Sequence, residues 1–247
     1  MDASSEEARV NPTAFGIIGG GWRAEFFLRI ARELPDRFRV AGMMVRNDDK
    51  GQALEQAWGT KTYRTVDQLL RISGLQFVVI SVPRAVAPLM VRELVQCGMP
   101  ALVETPPASD LDGLIALQDL VEAGAKVQVA EQYQFQPLHA ARLHLVRSGK
   151  LGTVTQAQVS AAHGYHGISL IRGLLGITFE DATISAREFI SPIVAGPGRG
   201  GPPAEEKIAN SRQVIAQLDF GDRLGVFDFT GDQYFSWIRS QRVLVRG

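Results

Sequence analysis

The sequence predicts a doubly wound parallel α/β sheet, followed by an α+β domain with an open, mostly antiparallel sheet. Short apolar runs alternate with amphipathic stretches from Phe15 to about Ala130, which is typical of parallel strands covered by helices on both faces. A glycine-rich turn follows the first apolar run, and beyond Pro137 the pattern changes mainly to strands. We therefore expect one domain over residues 1–130 and a second over residues 131–247.

In the first domain, buried strands alternate with helices, several of which begin at a capping residue such as Thr65 or Ser109. The strands are predicted at residues 15–18, 38–45, 60–63, 77–81, 101–104 and 126–130. The helices are predicted at residues 22–34, 50–57, 66–72, 85–97 and 111–123. Ligands of such sheets bind at the carboxyl ends of the strands, so the loops after Ile18, Val45, Ser81 and Glu104 should line one crevice.

In the second domain, two helices accompany a set of strands. Helices are predicted at residues 138–148 and 168–175, and strands at residues 154–161, 182–189, 211–219, 224–229, 234–239 and 242–245. Residues 220–222, Phe-Gly-Asp, form a predicted hairpin turn. Residues 191–207 are rich in proline and glycine, which predicts a long mobile loop or lid.

Composition limits the classes of partner. The chain of 247 residues is 45% hydrophobic and 21% charged with a formal net charge of zero, which favours a small-molecule ligand over nucleic acid or a membrane. The single cysteine, Cys97, excludes an internal disulfide and is expected to be a buried structural thiol. Residues 1–7 are polar and acidic, unlike a signal peptide, so we expect a cytoplasmic protein.

The glycine turn within residues 15–24 predicts a dinucleotide site. Gly19 can adopt a positive φ, Gly21 lets backbone N–H groups approach phosphates, and Ala24 lets the helix pack against the strand. Trp22 and Arg23 begin that helix and join the candidate cofactor contacts. Triple glycine also occurs in ordinary loops, but here a strand precedes it and a helix follows.

The end of the second strand bears on the choice between NAD and NADP. Arg46 could pair with a 2′-phosphate and Asn47 could hydrogen-bond to it, while Val45 stands where an acid would bind the ribose of NAD. NADP is therefore favoured, although Asp48 or Asp49 could reach the ribose and reverse the choice.

Further cofactor candidates follow the fourth and fifth strands. Pro83 and Arg84 stand where the ribose and nicotinamide side of a cofactor would pass, or they form a simple strand-to-helix turn. Glu104 could contact the nicotinamide ribose or only cap the next loop.

His163, Tyr165 and His166 are the candidate catalytic residues, because two histidines and a tyrosine meet at a predicted strand-to-helix junction. A structural role for these histidines is an equal alternative. His139 and His144 are five residues apart, which does not suit a metal pair on one helix face, so they are expected at the surface or at a domain interface. No metal site is predicted.

Three segments carry a resemblance to a known family. They are Val-Glu-Thr-Pro-Pro-Ala at 103–108, Tyr-Gln-Phe-Gln-Pro at 133–137, and His-Gly-Ile-Ser-Leu-Ile-Arg-Gly-Leu-Leu-Gly at 166–176. With the glycine turn, they resemble the Gfo/Idh/MocA oxidoreductases, typified by glucose-fructose oxidoreductase and inositol dehydrogenase. The resemblance implies a Rossmann domain, hydride transfer between NAD(P) and a sugar-like or other hydroxyl or carbonyl substrate, and a second sheet that mediates oligomerisation. It also favours a cofactor contact for Glu104.

The chain departs from that family at catalytic positions. Thr105 stands at the family's catalytic lysine and Ala162 at an aspartate, whereas His166 is retained. Neither replacement can titrate near neutrality, so His166, assisted by Tyr165 or His163, would carry proton transfer. The chain ends soon after residues 242–245, which suggests a shortened second domain and favours a homodimer. The alternative is a catalytically silent dinucleotide-binding sensor or partner subunit.

Overall fold

The computed structural model describes residues 11–247, and the chain divides between Ala130 and Glu131 into an N-terminal and a C-terminal unit. The predictions made for residues 1–7 lie outside the described residues. Within residues 11–247, every helix is too short or too polar to cross a membrane.

The N-terminal unit is a parallel sheet covered by helices, as predicted. Its strands are β1 (Thr13–Ile18), β2 (Phe38–Met44), β3 (Thr62–Tyr63), β4 (Phe77–Ile80), β5 (Ala101–Val103) and β6 (Val127–Val129). Its helices are α1 (Trp22–Glu33), α2 (Asp48–Trp58), α3 (Val66–Leu70), α4 (Ala87–Gln96) and α5 (Leu111–Glu122). The six strands pair in parallel in the order β3-β2-β1-β4-β5-β6, which is the doubly wound arrangement.

Both faces of this sheet are buried. Along β1, Ile17 belongs to one hydrophobic cluster and Ile18 to another, and along β4 the same alternation separates Val79 from Val78 and Ile80. Successive side chains of a strand point to opposite faces, so a strand buried on both faces is apolar throughout. This explains why these strands appear in the sequence as continuous apolar runs.

The C-terminal unit is built on an open, mostly antiparallel sheet, again as predicted. Its elements are α6 (Pro137–Arg147), β7 (Gln156–Ser160), α7 (Gly164–Leu175), β8 (Thr183–Val194), β9 (Ile208–Asp219), β10 (Leu224–Thr230) and β11 (Arg242–Arg246), with short 3-10 helices at Tyr133–Phe135 and Gly231–Tyr234. The five strands follow the order β11-β7-β10-β9-β8, and of their pairings that of β7 with β10 is parallel.

Helix α7 covers one face of this sheet. Leu170, Ile171 and Leu174 are buried in one cluster with Val159 of β7 and Phe227 of β10. Their spacing of one, three and four residues places them on one side of the helix. The packing fixes the start of α7 beside the end of β7.

Two secondary-structure predictions for this unit are wrong. Residues 191–194 belong to β8 and not to a mobile loop, because Ser191 pairs with Ser211 and Val194 with Ile208. The proline at 192 is tolerated because β8 is an edge strand. Residues 234–239 are not a strand, because Thr230 and Gln233 form a capping box that begins a 3-10 helix.

One burial prediction is also wrong, that for Cys97, and for His139 the structure excludes the surface alternative. Cys97 is exposed, because it caps the end of α4, beyond the turns that pack on the sheet. His139 is 3% exposed and therefore not a surface residue, because it shares the inner face of α6 with Leu143. His144 is exposed.

Candidate cofactor and catalytic sites

The glycine turn after β1 requires glycine at its first position. Gly19 has a φ of 115°, as the sequence predicts, and a Cβ built there would lie 2.0 Å from the carbonyl oxygen of Ser81. Its amide N–H donates to the carbonyl of Met44 at 3.0 Å. The turn is thus held between the carboxyl ends of β2 and β4, where no side chain fits.

The first turn of α1 is open. Gly21 is its N-cap residue, has a φ of −76° and provides no side-chain cap, and a Cβ there would meet nothing within 4 Å. The protein's own packing therefore does not require glycine at this position. The uncapped N–H groups at a helix N-terminus fit a phosphate, and a Cβ on Gly21 would occupy open space at this end of the helix. Ala24 is fully buried, in agreement with its predicted packing role.

Gly20 was not among the predicted site residues, although its position is also restricted. A Cβ on Gly20 would lie 2.9 Å from Cδ1 of Leu54 in α2. Gly20 therefore permits close packing between the turn and α2, whereas Gly19 permits the backbone conformation of the turn. A third glycine in the run is the sequence signal for such a contact.

Arg23 and Glu104 form an ion pair in the N-terminal unit. Nη2 of Arg23 donates to Oε1 and Oε2 of Glu104 at 3.0 and 3.1 Å, and the Glu104 side chain is 11% exposed. The backbone N–H of Thr105 also donates to Oε2, at 3.3 Å. Because β4 lies between β1 and β5, the pair spans the carboxyl end of β4. The structure thus brings Arg23 to the adjacent candidates Glu104 and Thr105, although Arg23 and Glu104 are 81 residues apart in the sequence.

The residues after β2 serve partly to begin α2. Oδ1 of Asn47 accepts a hydrogen bond from the backbone N–H of Lys50 at 2.8 Å, which makes Asn47 the N-cap of α2. Arg46 is exposed, and Asp48 is paired with Arg64. Of the predicted 2′-phosphate contacts, Arg46 keeps its charge exposed, while Asn47 uses its side-chain oxygen in the cap and could donate to a phosphate only through its NH2 group.

Pro83 and Arg84 lie in the turn between β4 and α4, and both are exposed. The carbonyl of Pro83 accepts hydrogen bonds from the N–H groups of Val86 and Ala87 at 2.8 and 3.2 Å. These two hydrogen bonds form a simple strand-to-helix turn, which is one of the two alternatives predicted for Pro83 and Arg84.

In the C-terminal unit, His166 is paired with a carboxylate that the sequence analysis missed. Nδ1 of His166 lies 2.5 Å from Oε2 of Glu131, and the side chains are 6% and 15% exposed. Oε1 of Glu131 accepts the backbone N–H of Tyr133 at 3.0 Å. Both carboxylate oxygens are therefore engaged. The available signal was an ionisable residue directly after the last parallel strand, in a segment otherwise rich in amides.

Aromatic rings surround the imidazole of His166. The ring centroids of Tyr133, Tyr165 and His163 lie 4.5, 4.4 and 4.9 Å from that of His166. Helix α7 begins at Gly164, earlier than predicted, so His166 lies in its first turn and His163 at its N-cap. The three predicted catalytic candidates are thus brought into contact.

His163 is bound to a second residue that was missed, Tyr234. The backbone N–H of His163 donates to the Tyr234 hydroxyl at 3.0 Å, and the hydroxyl also hydrogen-bonds to Nδ1 of the same histidine. Burial and the neighbouring His166 lower the pKa of the His163 imidazole, and Glu131 opposes this effect. His163 is therefore a neutral ring near pH 7. Tyr234 was missed because its segment was predicted to be a strand.

Tyr133 completes the cluster as a neutral phenol. Its hydroxyl donates to that of Tyr234 at 3.5 Å. Burial and this hydrogen bond raise the pKa of the Tyr133 phenol far above its usual range. The C-terminal unit therefore gathers one carboxylate, two imidazoles and three phenols, which we call the His–Tyr cluster: Glu131, Tyr133, His163, Tyr165, His166 and Tyr234.

Comparison with known proteins identifies the class of the N-terminal unit. The Gfo/Idh/MocA family model, described as an oxidoreductase family with an NAD-binding Rossmann fold, matches residues 13–132. No curated protein matches the sequence.

Solved structures resemble nearly the whole chain. GenD2 from gentamicin A biosynthesis, solved with NAD, is 18% identical, with a TM-score of 0.69 over 97% of this chain and 71% of that chain. Myo-inositol 2-dehydrogenase from Lactobacillus plantarum is 16% identical, with a TM-score of 0.71 over 96% and 74%. An Agrobacterium radiobacter oxidoreductase, solved with NAD+, L-tartaric acid and magnesium, is 16% identical, with a TM-score of 0.71 over 95% and 72%. At these identities the likeness shows the fold.

Proposed function

We propose that this chain, whose residues 13–132 belong to the Gfo/Idh/MocA oxidoreductase family, transfers a hydride between a nicotinamide dinucleotide and a carbon that bears a hydroxyl or carbonyl group. The observation that carries the proposal is the pairing of His166 with Glu131 in a chain whose glycine turn leaves the N-terminus of α1 uncapped. The pair supplies a group that can move a proton, and the uncapped helix N-terminus supplies a place for a pyrophosphate.

The residues present fit a dinucleotide. The turn at Gly19 and Gly21 and the first N–H groups of α1 would hold the pyrophosphate. The other proposed contacts are Trp22, Arg23, Arg46, Asn47, Pro83, Arg84, Glu104 and Thr105. When bound, the nicotinamide accepts or donates the hydride.

NADP is the cofactor that the residues after β2 favour. The exposed guanidinium of Arg46 suits a 2′-phosphate, because planar guanidinium groups bind phosphate through paired hydrogen bonds. Asp48, which could otherwise accept the ribose hydroxyls of NAD, is paired with Arg64.

His166 is the proposed general acid and base. Its Nδ1 is occupied by Glu131, so Nε2 is the atom that takes a proton from a substrate hydroxyl or returns it to a carbonyl oxygen. Thr105 cannot supply a positive charge in support of this step. His163 and Tyr165 pack against the imidazole and would assist by orienting it and excluding water.

An uncharged, polyhydroxylated compound is the proposed substrate. The segments that supply most of the His–Tyr cluster, residues 131–136 and 160–170, contain no lysine or arginine but do contain Glu131. A phosphorylated or carboxylated substrate would find no counter-charge there, whereas hydroxyl groups can bond to phenols and imidazoles. Tyr165, which is 40% exposed, offers a ring face for the C–H groups of a sugar.

A homodimer is the proposed assembly. Helix α7 covers one face of the C-terminal sheet, and the strand register places Ile215, Val226 and Leu244 on the opposite face, where Ile215 is 38% and Leu244 is 49% exposed. Apolar residues on an open sheet face favour a second copy of the chain. Residues 131–247 would then serve substrate binding and oligomerisation, and residues 1–130 cofactor binding. The mass in solution tests the assembly, and a cytoplasmic location stays a prediction.

Binding and turnover measured separately test the proposed function. Titration of tryptophan fluorescence with NADPH and NADH should show saturable binding, tighter for NADPH. On a set of polyols and keto-sugars, His166→Ala should lower kcat on the order of 100-fold while leaving the cofactor Kd unchanged. His144→Ala, an exposed histidine on α6, is the matched control and should behave as the native protein.

Each unexpected result would contradict a different part of the proposed function. Absence of saturable binding would contradict the cofactor site, and native turnover by His166→Ala would contradict the role of His166. Tight binding without turnover of any substrate would replace the enzyme with a dinucleotide-binding sensor.

A further inference from the structure

We infer that Glu131 is a positioning residue that holds His166 in the tautomer with its proton on Nδ1 and its lone pair on Nε2. The inference rests on the proposed function, because it says how the proposed acid and base is kept ready. Its geometric basis is independent of any substrate.

The Glu131 carboxylate is held by two partners and cannot turn. Oε1 of Glu131 accepts the N–H of Tyr133 at 3.0 Å, and Oε2 faces Nδ1 of His166 at 2.5 Å. Rotation of the carboxylate away from either partner would leave a largely buried oxygen or N–H group without a hydrogen bond, which is unfavourable. Glu131 is therefore held by the backbone at one oxygen and presents the other to the imidazole.

The same contact fixes the position of the imidazole proton. An ionised carboxylate only accepts hydrogen bonds, so the contact with Oε2 requires a hydrogen on Nδ1 of His166. In the neutral ring, Nε2 then carries the lone pair and can accept a substrate proton. When it does so, the imidazolium keeps its hydrogen bond from Nδ1 to the Glu131 carboxylate.

Neighbouring aromatic rings fix the plane of the His166 imidazole. Tyr133 and Tyr165 lie with their ring centroids 4.5 and 4.4 Å from that of His166, and the His166 side chain is 6% exposed. These neighbours restrict rotation of the imidazole, while Glu131 selects which nitrogen faces inward. The packing alone would accept either tautomer, so the carboxylate is the group that distinguishes them.

The substitution Glu131→Gln tests this assignment because an amide has one acceptor and one donor end. The amide oxygen must accept the N–H of Tyr133, so the NH2 group turns toward Nδ1 of His166. That contact requires a lone pair on Nδ1, which places the proton on Nε2. The variant keeps the size of the side chain and reverses the tautomer.

The experiment measures tautomers directly by 15N NMR of histidine-labelled protein near pH 7.5, with the His166 signals assigned from His166→Gln. We expect the Nδ1–H form in the native protein and the Nε2–H form in Glu131→Gln. We also expect kcat to fall by about 10- to 100-fold, no more than in His166→Ala, with KM and the cofactor Kd within about twofold. Glu205→Gln, an exposed glutamate of the same unit, should leave all values unchanged.

An unchanged His166 tautomer in Glu131→Gln would overturn the inference, whether or not the native protein turns over any substrate. If the native protein is inactive, the proposed function fails while the tautomer still decides the role of Glu131. Should Glu131→Gln not fold, Glu131→Asp shortens the reach to Nδ1 and should give a mixture of tautomers with partial activity. A purely structural role predicts loss of stability with one tautomer throughout.

Discussion

The glycine turn of the N-terminal unit and the His–Tyr cluster of the C-terminal unit differ in how the chain builds them. The turn is made by backbone atoms within residues 18–24, and its key property is the φ of 115° at Gly19. The cluster is made by side chains that come from the segment after β6, from the start of α7 and from a 3-10 helix near Tyr234. The turn depends on space that no side chain occupies. The cluster depends on which side chains lie in it.

Substitutions in the two sites should therefore have different consequences. Substitution in the turn introduces a Cβ where the fold or a phosphate needs room, so it should affect folding or binding. Substitution in the cluster removes a proton donor or acceptor but leaves packing nearly intact, so it should affect turnover. Separate measurements of stability, cofactor binding and turnover distinguish these consequences.

The largest effect is expected for Gly19→Ala. The new Cβ would lie 2.0 Å from the carbonyl oxygen of Ser81, in a backbone conformation with φ at 115° that disfavours any side chain. We expect the free energy of unfolding to fall by about 3 kcal/mol or more, measured by urea unfolding.

Gly59→Ala is the matched control for this prediction. Gly59 also has a positive φ, 66°, at the C-cap of α2, but a Cβ there meets nothing within 4 Å. Its cost should be about 1 to 2 kcal/mol, from the left-handed conformation alone. Equal losses in the two variants would show that conformation, and not the contact with Ser81, restricts the turn.

The glycine turn could be predicted from sequence because its causes are local. A strand, a run of glycines and a helix start lie within residues 15–24, and each has a direct signature. The doubly wound sheet was equally predictable, because strands buried on both faces form continuous apolar runs such as that of β4. The resemblance to the Gfo/Idh/MocA family is confirmed over residues 13–132.

The partners within the His–Tyr cluster could not be predicted in the same way. The contact between Glu131 and His166 joins residues 35 apart in sequence, and that between His163 and Tyr234 joins residues 71 apart. Such contacts depend on sheet order and on the start of α7, which no local pattern records. The segment of Tyr234 resembles a strand, but its capping box overrides that pattern.

A smaller effect, on binding rather than stability, is expected for Gly21→Ala. A Cβ at Gly21 meets nothing within 4 Å of the protein, so the only expected folding cost is the poorer N-cap, about 1 kcal/mol. If phosphates occupy the space in front of α1, the methyl group should weaken NADPH binding on the order of tenfold, which corresponds to about 1.4 kcal/mol.

Fluorescence titration measures this change, and Gly196→Ala in the C-terminal unit, also at a position open for a Cβ, is the control. An unaltered Kd in Gly21→Ala would mean that no phosphate lies against this turn. A large loss of stability in Gly21→Ala would mean that effects on folding and on binding cannot be separated at the turn.

The smallest effect concerns a buried histidine that has no carboxylate partner among its described contacts. Burial, aided by the charge of Arg142, lowers the pKa of His139 from its ordinary value of about 6.5. The unfolded chain therefore binds the proton more readily, so the stabilising contribution of neutral His139 is complete above about pH 6.5 and is lost as pH falls toward the lower folded value. Urea unfolding at pH 7.5 and 5.5 should show a loss of up to about 1.4 kcal/mol per pH unit that His139→Gln lacks and exposed His144→Gln retains. An identical pH dependence in the native protein and His139→Gln would show that burial of the His139 imidazole carries no titration cost.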